Sequence, residues 1–299
     1  MRVAALDLGS NTSLLMIAEV EQGAIVRELH DETTVTRLGQ GVHSARRFHP
    51  EALIRMRDCL ERYQKIIVEH KCDKVIAVAT SAARDVANGE ELLKAGRALG
   101  IPIHIISERE AELTFRGAIC DRERAEGTVV VDVGGGSTEI IYKAGNIIRG
   151  TSVDVGSVRL SEMFVKSDPI STVELSQLRA YASEAFAAAN IASIPIGEIV
   201  AVAGTPTTLA GLVQKIDFDA TKIHGFQISL EQIESWTNEL ATLSLAARSA
   251  LKGMQPKRAD VIVAGATILG AAVRILKQTR VTVSTRGVRY GVALAWQEF

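Results

Sequence analysis

Features typical of secreted, membrane-spanning or strongly charged proteins are scarce in this sequence of 299 residues. Three cysteines are present and none forms a CxxC pair, which favours reduced thiols in a cytoplasmic protein over a disulfide framework. The most apolar stretch, residues 261–273, is shorter than the roughly 18 residues expected of a spanning helix, so we expect a buried helix there. Asp7 interrupts the opening apolar run, and no signal peptide is expected.

The net charge and the spacing of the histidines narrow the range of partners and metal sites to be expected. The net charge of −1 gives no basis for a polyanionic partner from overall electrostatics, and we expect neither a nucleic-acid nor a membrane partner. The six histidines lack paired metal-ligand spacing, so solvated or core positions are expected for most of them. The length suits two domains of roughly 100–200 residues each.

One short motif occurs twice. Residues 5–13 read ALDLGSNTS and residues 130–138 read VVDVGGGST, and aligning Asp7 with Asp132 also aligns Gly9 with Gly134. Each motif lies between two apolar runs with β-branched residues, which predicts a strand, a tight turn and a returning strand. The duplication predicts two similar half-domains that face one phosphate-containing ligand.

The turn residues have the chemistry of a phosphate cradle. Glycines let backbone N–H groups approach a phosphate closely, and serine and threonine hydroxyls add donors. The candidate phosphate-binding residues are Gly9, Ser10, Asn11 and Thr12 in the first turn and Gly134, Gly135, Gly136, Ser137 and Thr138 in the second.

Alternating strands and helices predict an α/β organisation that occurs twice. We predict strands at 2–8, 13–20, 24–30, 74–79 and 102–106 and helices at 50–69, 90–99 and 111–119. The charged segment 121–127 is the predicted boundary between domains 1–124 and 125–299. After it we predict strands at 128–133, 139–143, 147–153, 198–203 and 281–284 and helices at 172–192, 230–251 and 260–276. Ser107 and Glu110 have the spacing of a capping box before helix 111–119.

Taken with these elements, the motifs resemble the exopolyphosphatase/guanosine-pentaphosphate phosphohydrolase (Ppx/GppA) family of the actin-like ATPase superfamily, over essentially the whole chain. The matching segments are 7–11 with Leu14, 80–85, 110–111, 132–139, 156–160, 204–205, 224–225, 258–260 and 287–289. The resemblance implies two duplicated actin-like (ribonuclease H-like) α/β domains with mixed sheets flanking an interdomain cleft. It also implies that the tail after about residue 286 returns to the first domain.

The resemblance further implies roles for individual residues. Glu110 matches the family's general base, and Arg84 is implied to clamp the transferring phosphoryl group. Asp132 and Glu139 resemble the metal-site carboxylates, with Asp7 acting through a bound water. Mg²⁺ is the implied cofactor and Mn²⁺ the alternative, because both accept carboxylate oxygens.

A third phosphate-binding segment is implied in the second half of the chain. Gly204 and Thr205 match the turn that lies beside the nucleotide in the superfamily. The same two residues also suit a simple strand-to-helix turn with an N-cap.

Two departures from the family pattern stand out. Arg109 occupies the position of a second glutamate beside the base, which bears on the electrostatics of Glu110. We also expect the chain to lack the extra C-terminal helical domain of longer members, and with it much of their polyphosphate channel.

Plain structural interpretations remain beside these assignments. A single Asp-x-Gly turn is usually only a turn, Glu110 alone suits a cap or a surface position, and Arg84 suits a pair with Asp85. A basic stretch is open to two interpretations, a polyanion track or a solvated helix face, and its members are Arg46, Arg47, Arg55, Arg57, Arg62 and Lys65.

The sequence therefore predicts a cytoplasmic exopolyphosphatase that uses Mg²⁺ to release terminal orthophosphate from inorganic polyphosphate, favouring shorter chains. The enzymatic alternative is a guanosine pentaphosphate 5′-phosphohydrolase that yields the tetraphosphate. A non-catalytic sensor of alarmones or nucleotides also suits the motifs. An ATP-dependent sugar kinase is less favoured, because segment 80–85 and Glu110 match the hydrolase branch. A homodimer is expected from the family resemblance.

Overall fold

The structure is a computed structural model that describes residues 1–84, 86–122, 126–194 and 196–299. These residues form two compact units. Unit 1 contains Met1–Cys120 together with Gly287–Phe299, and unit 2 contains Asp121–Arg286. The predicted boundary between residues 124 and 125 lies outside the described residues.

Strands and helices alternate along most of the chain. The strands are β1 (Arg2–Leu8), β2 (Thr12–Glu21), β3 (Ala24–Val35), β4 (Lys74–Ala79), β5 (Ile103–Ile105), β6 (Thr128–Val133), β7 (Thr138–Ala144), β8 (Ile147–Val153), β9 (Glu198–Val202), β10 (Gln227–Ser229) and β11 (Arg280–Val283). The α-helices are α1 (Val42–Ala45), α2 (Pro50–Glu69), α3 (Ser81–Arg84), α4 (Gly89–Ala98), α5 (Glu108–Ala118), α6 (Ser157–Phe164), α7 (Thr172–Ala188), α8 (Gly204–Gln214), α9 (Ala220–Ile223), α10 (Leu230–Thr242), α11 (Leu245–Ser249), α12 (Ile262–Ile275) and α13 (Val288–Leu294). Short 3-10 helices occur at Ile191–Ser193, Pro256–Arg258 and Trp296–Glu298.

Unit 1 is built on a mixed sheet with the strand order β3-β2-β1-β4-β5. β1 pairs antiparallel with β2 and parallel with β4. Alternate residues of β1 face opposite sides of the sheet. Leu6 packs in the cluster that contains Tyr63 of α2, whereas Ala5 packs in the cluster that contains Tyr290 of α13. Asp7 therefore lies on the side of the sheet that α13 covers.

Unit 2 repeats this topology. Its sheet has the order β8-β7-β6-β9-β11-β10, in which β7 lies antiparallel and β9 parallel beside β6. The apolar helix α12 is buried over nearly all of its length and packs in one core with α7 and α10. The predicted fold class, two duplicated α/β halves on mixed sheets, is confirmed, as is the buried helix expected at 261–273.

Several element boundaries were predicted incorrectly. The single helix expected over 230–251 is two helices, because Leu243 adopts an extended backbone and Ser244 caps α11 through its side chain. Helix α6, which begins directly at a glycine-containing turn, was not predicted, and α8 was anticipated only as the helix of a strand-to-helix turn at Gly204 and Thr205. Helix α2 has the predicted bounds, with Pro50 in its first turn.

The described residues contain no helix that combines the length and the apolar character needed to cross a membrane. Cys59 is buried, Cys72 is half-buried and Cys120 is exposed.

Candidate active site

The first predicted turn joins β1 to β2 in unit 1. The backbone N–H of Gly9 donates to the carbonyl of Thr12 at 3.0 Å and closes the turn. The segment after β3 supports the turn, because the N–H of Gly39 donates to the Ser10 carbonyl at 2.7 Å and that of Arg37 to the Asn11 carbonyl at 2.9 Å. These bonds engage carbonyl groups of the turn, as a cradle for an anion requires.

Two buried polar atoms of this turn have no hydrogen-bond partner among the described residues: Asn11 Nδ2 and Asp7 Oδ1. Asn11 is only 6% exposed. A buried donor or acceptor left without a partner costs about 1–3 kcal/mol. The turn therefore offers one donor and one acceptor for a ligand or an ordered water.

Asp7 lies close to a buried arginine from the C-terminal segment. Burial raises the pKa of Asp7 to about 6, and the charge of Arg289 opposes that rise. Arg289 donates through Nε and Nη2 to the two carboxylate oxygens of Asp31, at 2.9 and 2.8 Å. Burial lowers the pKa of Arg289, but the pairing with Asp31 more than offsets this and raises it. In the sequence, Arg289 was matched only as part of a family motif and had no assigned role.

The second predicted turn joins β6 to β7 in unit 2 and has the same closure. The N–H of Gly134 donates to the carbonyl of Ser137 at 3.0 Å. The first turn of α6 supports it, because the N–H of Ser157 donates to the Gly134 carbonyl at 2.9 Å and that of Val158 to the Gly135 carbonyl at 3.0 Å. Both predicted turns thus have their carbonyls held by neighbouring backbone.

The second turn carries a pair of carboxylates. Asp132 lies opposite Glu139 in the β6–β7 ladder. Glu139 is buried, and its Oε1 accepts hydrogen bonds from Ser137 Oγ at 2.6 Å and from Ser152 Oγ at 2.9 Å. Such hydroxyl contacts fix the orientation of a carboxylate that serves as a metal ligand.

The chemistry of this pair limits the kind of cation it is able to hold. The described part of the chain holds no group of three or more His, Cys, Asp or Glu side chains suited to a metal ion. Mg²⁺ is commonly held by one or two carboxylates, with waters and substrate phosphate oxygens completing its shell. The Asp132 and Glu139 pair fits that mode of binding and does not fit an all-protein cage.

Gly204 and Thr205 form the first turn of α8, directly after β9. The guanidinium of Arg258 lies against this turn, since a Cβ added to Gly204 would be 1.8 Å from Arg258 Nη1. Arg258 is 9% exposed, and its Nε donates to Gln255 Oε1 at 3.0 Å. Burial lowers the pKa of Arg258 to about 10, against the opposing charge of Asp260.

A helix N-terminus is itself a partly positive site, so a buried cation beside it gains no stability from the helix. An anion bound there would be favoured by both the helix and Arg258. Gly204 and Thr205 were predicted from the sequence, whereas Arg258 was not. Its only sequence signal is the matching segment 258–260.

Arg84 and Glu110 form an ion pair inside unit 1. Arg84 Nη1 donates to Glu110 Oε2 at 2.9 Å, and Glu110 is 8% exposed. Arg84 ends the short helix α3, and Glu110 lies in the first turn of α5. The rival pairing of Arg84 with Asp85 involves a residue outside those described.

The capping box predicted for α5 is wrong. Within the described residues, Ser107 makes no side-chain cap hydrogen bond, because its backbone (φ −132°, ψ −76°) lies outside the extended region that N-cap residues adopt. The carboxylate of Glu110 contacts Arg84 instead.

Arg109 contacts the C-terminal segment. Its Nη2 donates to Glu298 Oε2 at 2.5 Å, and its Cζ lies 4.8 Å from the centre of the Phe299 ring. Arg116 donates to the other oxygen of Glu298 at 3.1 Å. The departure from the family pattern beside Glu110 thus has a local explanation, because Glu298 balances the charge of Arg109.

Arginines of the basic stretch on α2 are engaged with neighbouring groups. Arg55 donates to the Thr36 carbonyl at 2.9 Å, and Arg57 lies 3.9 Å from Glu61. Arg62 pairs with Glu32. These contacts favour the solvated helix face over a polyanion track.

Known proteins are similar to this chain in both sequence and fold. The family model described as the Ppx/GppA phosphatase family matches residues 16–298. Exopolyphosphatase 2 of Mycobacterium tuberculosis is 38% identical over 98% of each chain. The crystal structure of the Aquifex aeolicus Ppx/GppA family member superposes with a TM-score of 0.82 at 31% identity, covering 100% of this chain and 98% of that one. An exopolyphosphatase from Cytophaga hutchinsonii gives a TM-score of 0.89 at 27% identity, with coverage of 100% and 98%.

The chain belongs to the Ppx/GppA phosphatase family. It is an enzyme of the exopolyphosphatase type, which cleaves phosphoanhydride bonds. The family recognised in the sequence is therefore confirmed.

Proposed function

We propose that the protein hydrolyses the terminal phosphoanhydride bond of inorganic polyphosphate and releases orthophosphate, with Mg²⁺ or Mn²⁺ as cofactor. The observation that carries the proposal is the ion pair between Arg84 and the buried Glu110, at 2.9 Å. It brings together a carboxylate suited to bind water and a cation suited to bind phosphate. Similarity to an exopolyphosphatase over 98% of both chains supports the choice of substrate.

The two turns supply the proposed phosphate contacts. In unit 1, Gly9 closes the turn, and the backbone amides of Ser10 and Asn11 donate to phosphate oxygens. The Nδ2 of Asn11, buried without a partner among the described residues, adds a further donor. In unit 2, Gly134 closes the turn, and the amides of residues 135–137 donate in the same way. The N-terminus of α8 at Gly204 and Thr205, with Arg258 beside it, adds further donors. Arg258 is thus added to the phosphate-binding residues that were predicted from the sequence.

The proposed metal site uses Asp132 and Glu139, with Asp7 contributing through a water. When bound, the divalent cation neutralises charge on the phosphate oxygens. Ser137 and Ser152 keep Glu139 oriented for this task. Arg84 offsets the remaining negative charge on the terminal phosphoryl group.

Glu110 is the proposed general base. A water hydrogen-bonded to its carboxylate gives up a proton to Glu110 as the water oxygen attacks the terminal phosphorus. The bridging P–O bond breaks, and its electron pair leaves on the shortened polyphosphate. Orthophosphate is the other product.

The substrate is tested by measuring phosphate release from short polyphosphate, long polyphosphate and guanosine pentaphosphate, each with Mg²⁺. We expect the highest kcat/KM on short polyphosphate. The contacts of Arg55, Arg57 and Arg62 support this preference, because arginines held by neighbouring groups attract a long polyanion less strongly. Better turnover of long chains would overturn the preference.

Hydrolysis of guanosine pentaphosphate is the second candidate. The family resemblance noted in the sequence covers both activities, and the two turns are suited to phosphate groups alone, so their chemistry does not separate the two substrates. Turnover of guanosine pentaphosphate without turnover of polyphosphate assigns the protein to this activity. Tight binding of guanine nucleotides without any turnover indicates a sensor.

The proposed enzyme works in the cytoplasm as a homodimer, without nucleic acid or membrane partners. Three cysteines without a CxxC pair support a reducing compartment, and the homodimer rests on the family resemblance. Light scattering of the purified protein tests the dimer, and a monomer at micromolar concentration contradicts it.

A further inference from the structure

The ion pair between Arg84 and Glu110 joins two side chains that both have tasks toward the substrate. We propose that this pair is a latch that phosphate opens: an incoming phosphate replaces Glu110 on the Arg84 guanidinium, and the released carboxylate then binds the attacking water. The inference rests on the roles that the proposed function gives to these two residues.

The contact has the form of a bond that phosphate is able to replace. The hydrogen bond joins one guanidinium nitrogen, Arg84 Nη1, to one carboxylate oxygen, Glu110 Oε2, at 2.9 Å. A guanidinium binds most strongly when two N–H groups donate in parallel to one anion, and phosphate offers oxygens in that geometry along with more charge. A terminal phosphate is therefore a stronger partner for Arg84 than one carboxylate oxygen.

The latch restricts the action of the base to bound substrate. A carboxylate oxygen that accepts a hydrogen bond from Arg84 is directed at the guanidinium and away from water. Because Glu110 is only 8% exposed, it has little room to bind water while it holds Arg84. When phosphate takes the place of Glu110 on the Arg84 guanidinium, Glu110 Oε2 is released from that contact. This happens at the moment when a phosphorus atom is available for attack.

Helix α5, which carries Glu110, is closely packed, so the proposed exchange is assigned to side-chain rotation. Helix α5 packs against α13 at van der Waals distance between backbones. A Cβ on Gly117 would lie 2.1 Å from the Gly287 carbonyl oxygen, and a Cβ on Gly291 would lie 1.9 Å from that of Leu113. Arg84 is the more exposed partner, with 25% of its side chain accessible, so Arg84 is the side chain that moves.

A fixed arrangement is the rival to a latch. In that case Arg84 binds phosphate and Glu110 together, and Glu110 opposes phosphate only through its negative charge. The two cases differ in whether the effect of Glu110 on phosphate binding requires Arg84. A double-mutant cycle measures this directly.

The experiment is calorimetric titration of orthophosphate into wild type, Glu110→Gln, Arg84→Gln and the double variant. Glu110→Gln removes the competitor, and we expect phosphate to bind about tenfold more tightly, as for loss of one charge-assisted hydrogen bond. In the Arg84→Gln background the same change should alter the dissociation constant less than about twofold. Glu112→Gln is the matched control, because Glu112 lies on the same helix and pairs with Arg116; it should leave phosphate binding unchanged.

Each outcome decides between the latch and its rival. Unchanged or weaker binding by Glu110→Gln overturns the latch, and so does equal tightening with and without Arg84, which indicates simple repulsion. Binding that is detectable only in Glu110→Gln supports the latch, and absence of binding in all four proteins contradicts it. Polyphosphate hydrolysis is measured separately on the wild type. If wild type hydrolyses polyphosphate but Glu110→Gln does not bind phosphate more tightly, only the latch is refuted. If Glu110→Gln binds phosphate more tightly but wild type does not hydrolyse polyphosphate, only the proposed substrate is refuted.

Discussion

Glu139 lies opposite Asp132 across β6 and β7 in the same register in which Leu14 lies opposite Asp7 across β1 and β2. The two turns are closed by the same Gly N–H to carbonyl bond, at 3.0 Å in both units. Their backbones are therefore equivalent, but their chemistry is not. The second turn presents two carboxylates on one face of its sheet, and the first presents one carboxylate and an apolar side chain.

This asymmetry predicts where a divalent cation binds. Glu139→Gln should weaken Mn²⁺ binding at least about tenfold, because it removes one of the two charged ligands proposed for the second turn. Leu14→Gln, at the equivalent position of the first turn, is the matched control and should change the affinity less than about twofold. Titration followed by electron paramagnetic resonance measures both. Equal affinities for wild type and Glu139→Gln would place the metal elsewhere.

The buried carboxyl of Asp7 makes stability depend on pH. The pKa of Asp7 is raised to about 6 by burial, whereas the unfolded chain loses this proton at about pH 4. The folded state therefore loses stability as pH rises from about 4 to 6, by up to about 2–3 kcal/mol. Asp7→Asn, which stays neutral, should be more stable than wild type at about pH 7.

Urea denaturation in the presence of EDTA measures this effect. The difference between Asp7→Asn and wild type should shrink as the pH is lowered to about 4. Asp58→Asn, at an exposed position of α2, is the control and should show no such trend. A difference that is constant over this pH range contradicts the role of the buried Asp7 carboxyl.

The buried Arg289 should stabilise unit 1. Its two hydrogen bonds to Asp31 are lost in Arg289→Met, which leaves the carboxylate of Asp31 without this partner. Removing one member of a buried pair costs about 3–5 kcal/mol, and partial exposure of Asp31 reduces the expected loss to about 2–4 kcal/mol. Arg274→Met, which breaks an exposed pair with Glu234, should cost less than about 1 kcal/mol. Equal losses would show that burial of the pair is unimportant.

A methyl group at Gly156 should disturb the second turn. A Cβ there would lie 2.3 Å from the carbonyl oxygen of Gly135, so Gly156→Ala should push α6 away from the turn. We expect a loss of at least about 2 kcal/mol in stability and a fall in Mn²⁺ affinity. Gly270→Ala, whose Cβ would meet only ordinary contact with Ile233 at 3.5 Å, should be tolerated. Thermal unfolding compares the two variants, and equal melting temperatures would contradict this explanation.

Local sequence was enough to predict the parts of the site that depend on neighbouring residues. The two turns follow from a strand, a glycine-containing turn and a returning strand, all within a few positions, and the structure has them where expected. The opposition of Asp132 and Glu139 is a consequence of the same tight turn, but the sequence pointed to these two carboxylates only through the family resemblance.

Contacts between residues that are distant along the chain could not be predicted from the sequence. Arg289 and Asp31 are 258 positions apart, and no local sequence pattern predicts their pairing. Arg258 ends a 3-10 helix and lies against Gly204, 54 positions earlier in the chain (258 − 204 = 54). The spacing of Ser107 and Glu110 was misread as a capping box, because the pattern does not reveal that a distant arginine binds the glutamate.

The role of Glu110 is decided by steady-state phosphate release from short polyphosphate with Mg²⁺, measured for wild type, Glu110→Gln and Glu112→Gln. We predict that Glu110→Gln lowers kcat by roughly 10²-fold or more, as for loss of a general base, while the protein stays folded and binds phosphate. Glu112→Gln, on the same helix, should retain near wild-type kcat. A Glu110→Gln variant with near wild-type kcat would contradict the assignment of Glu110 as the base.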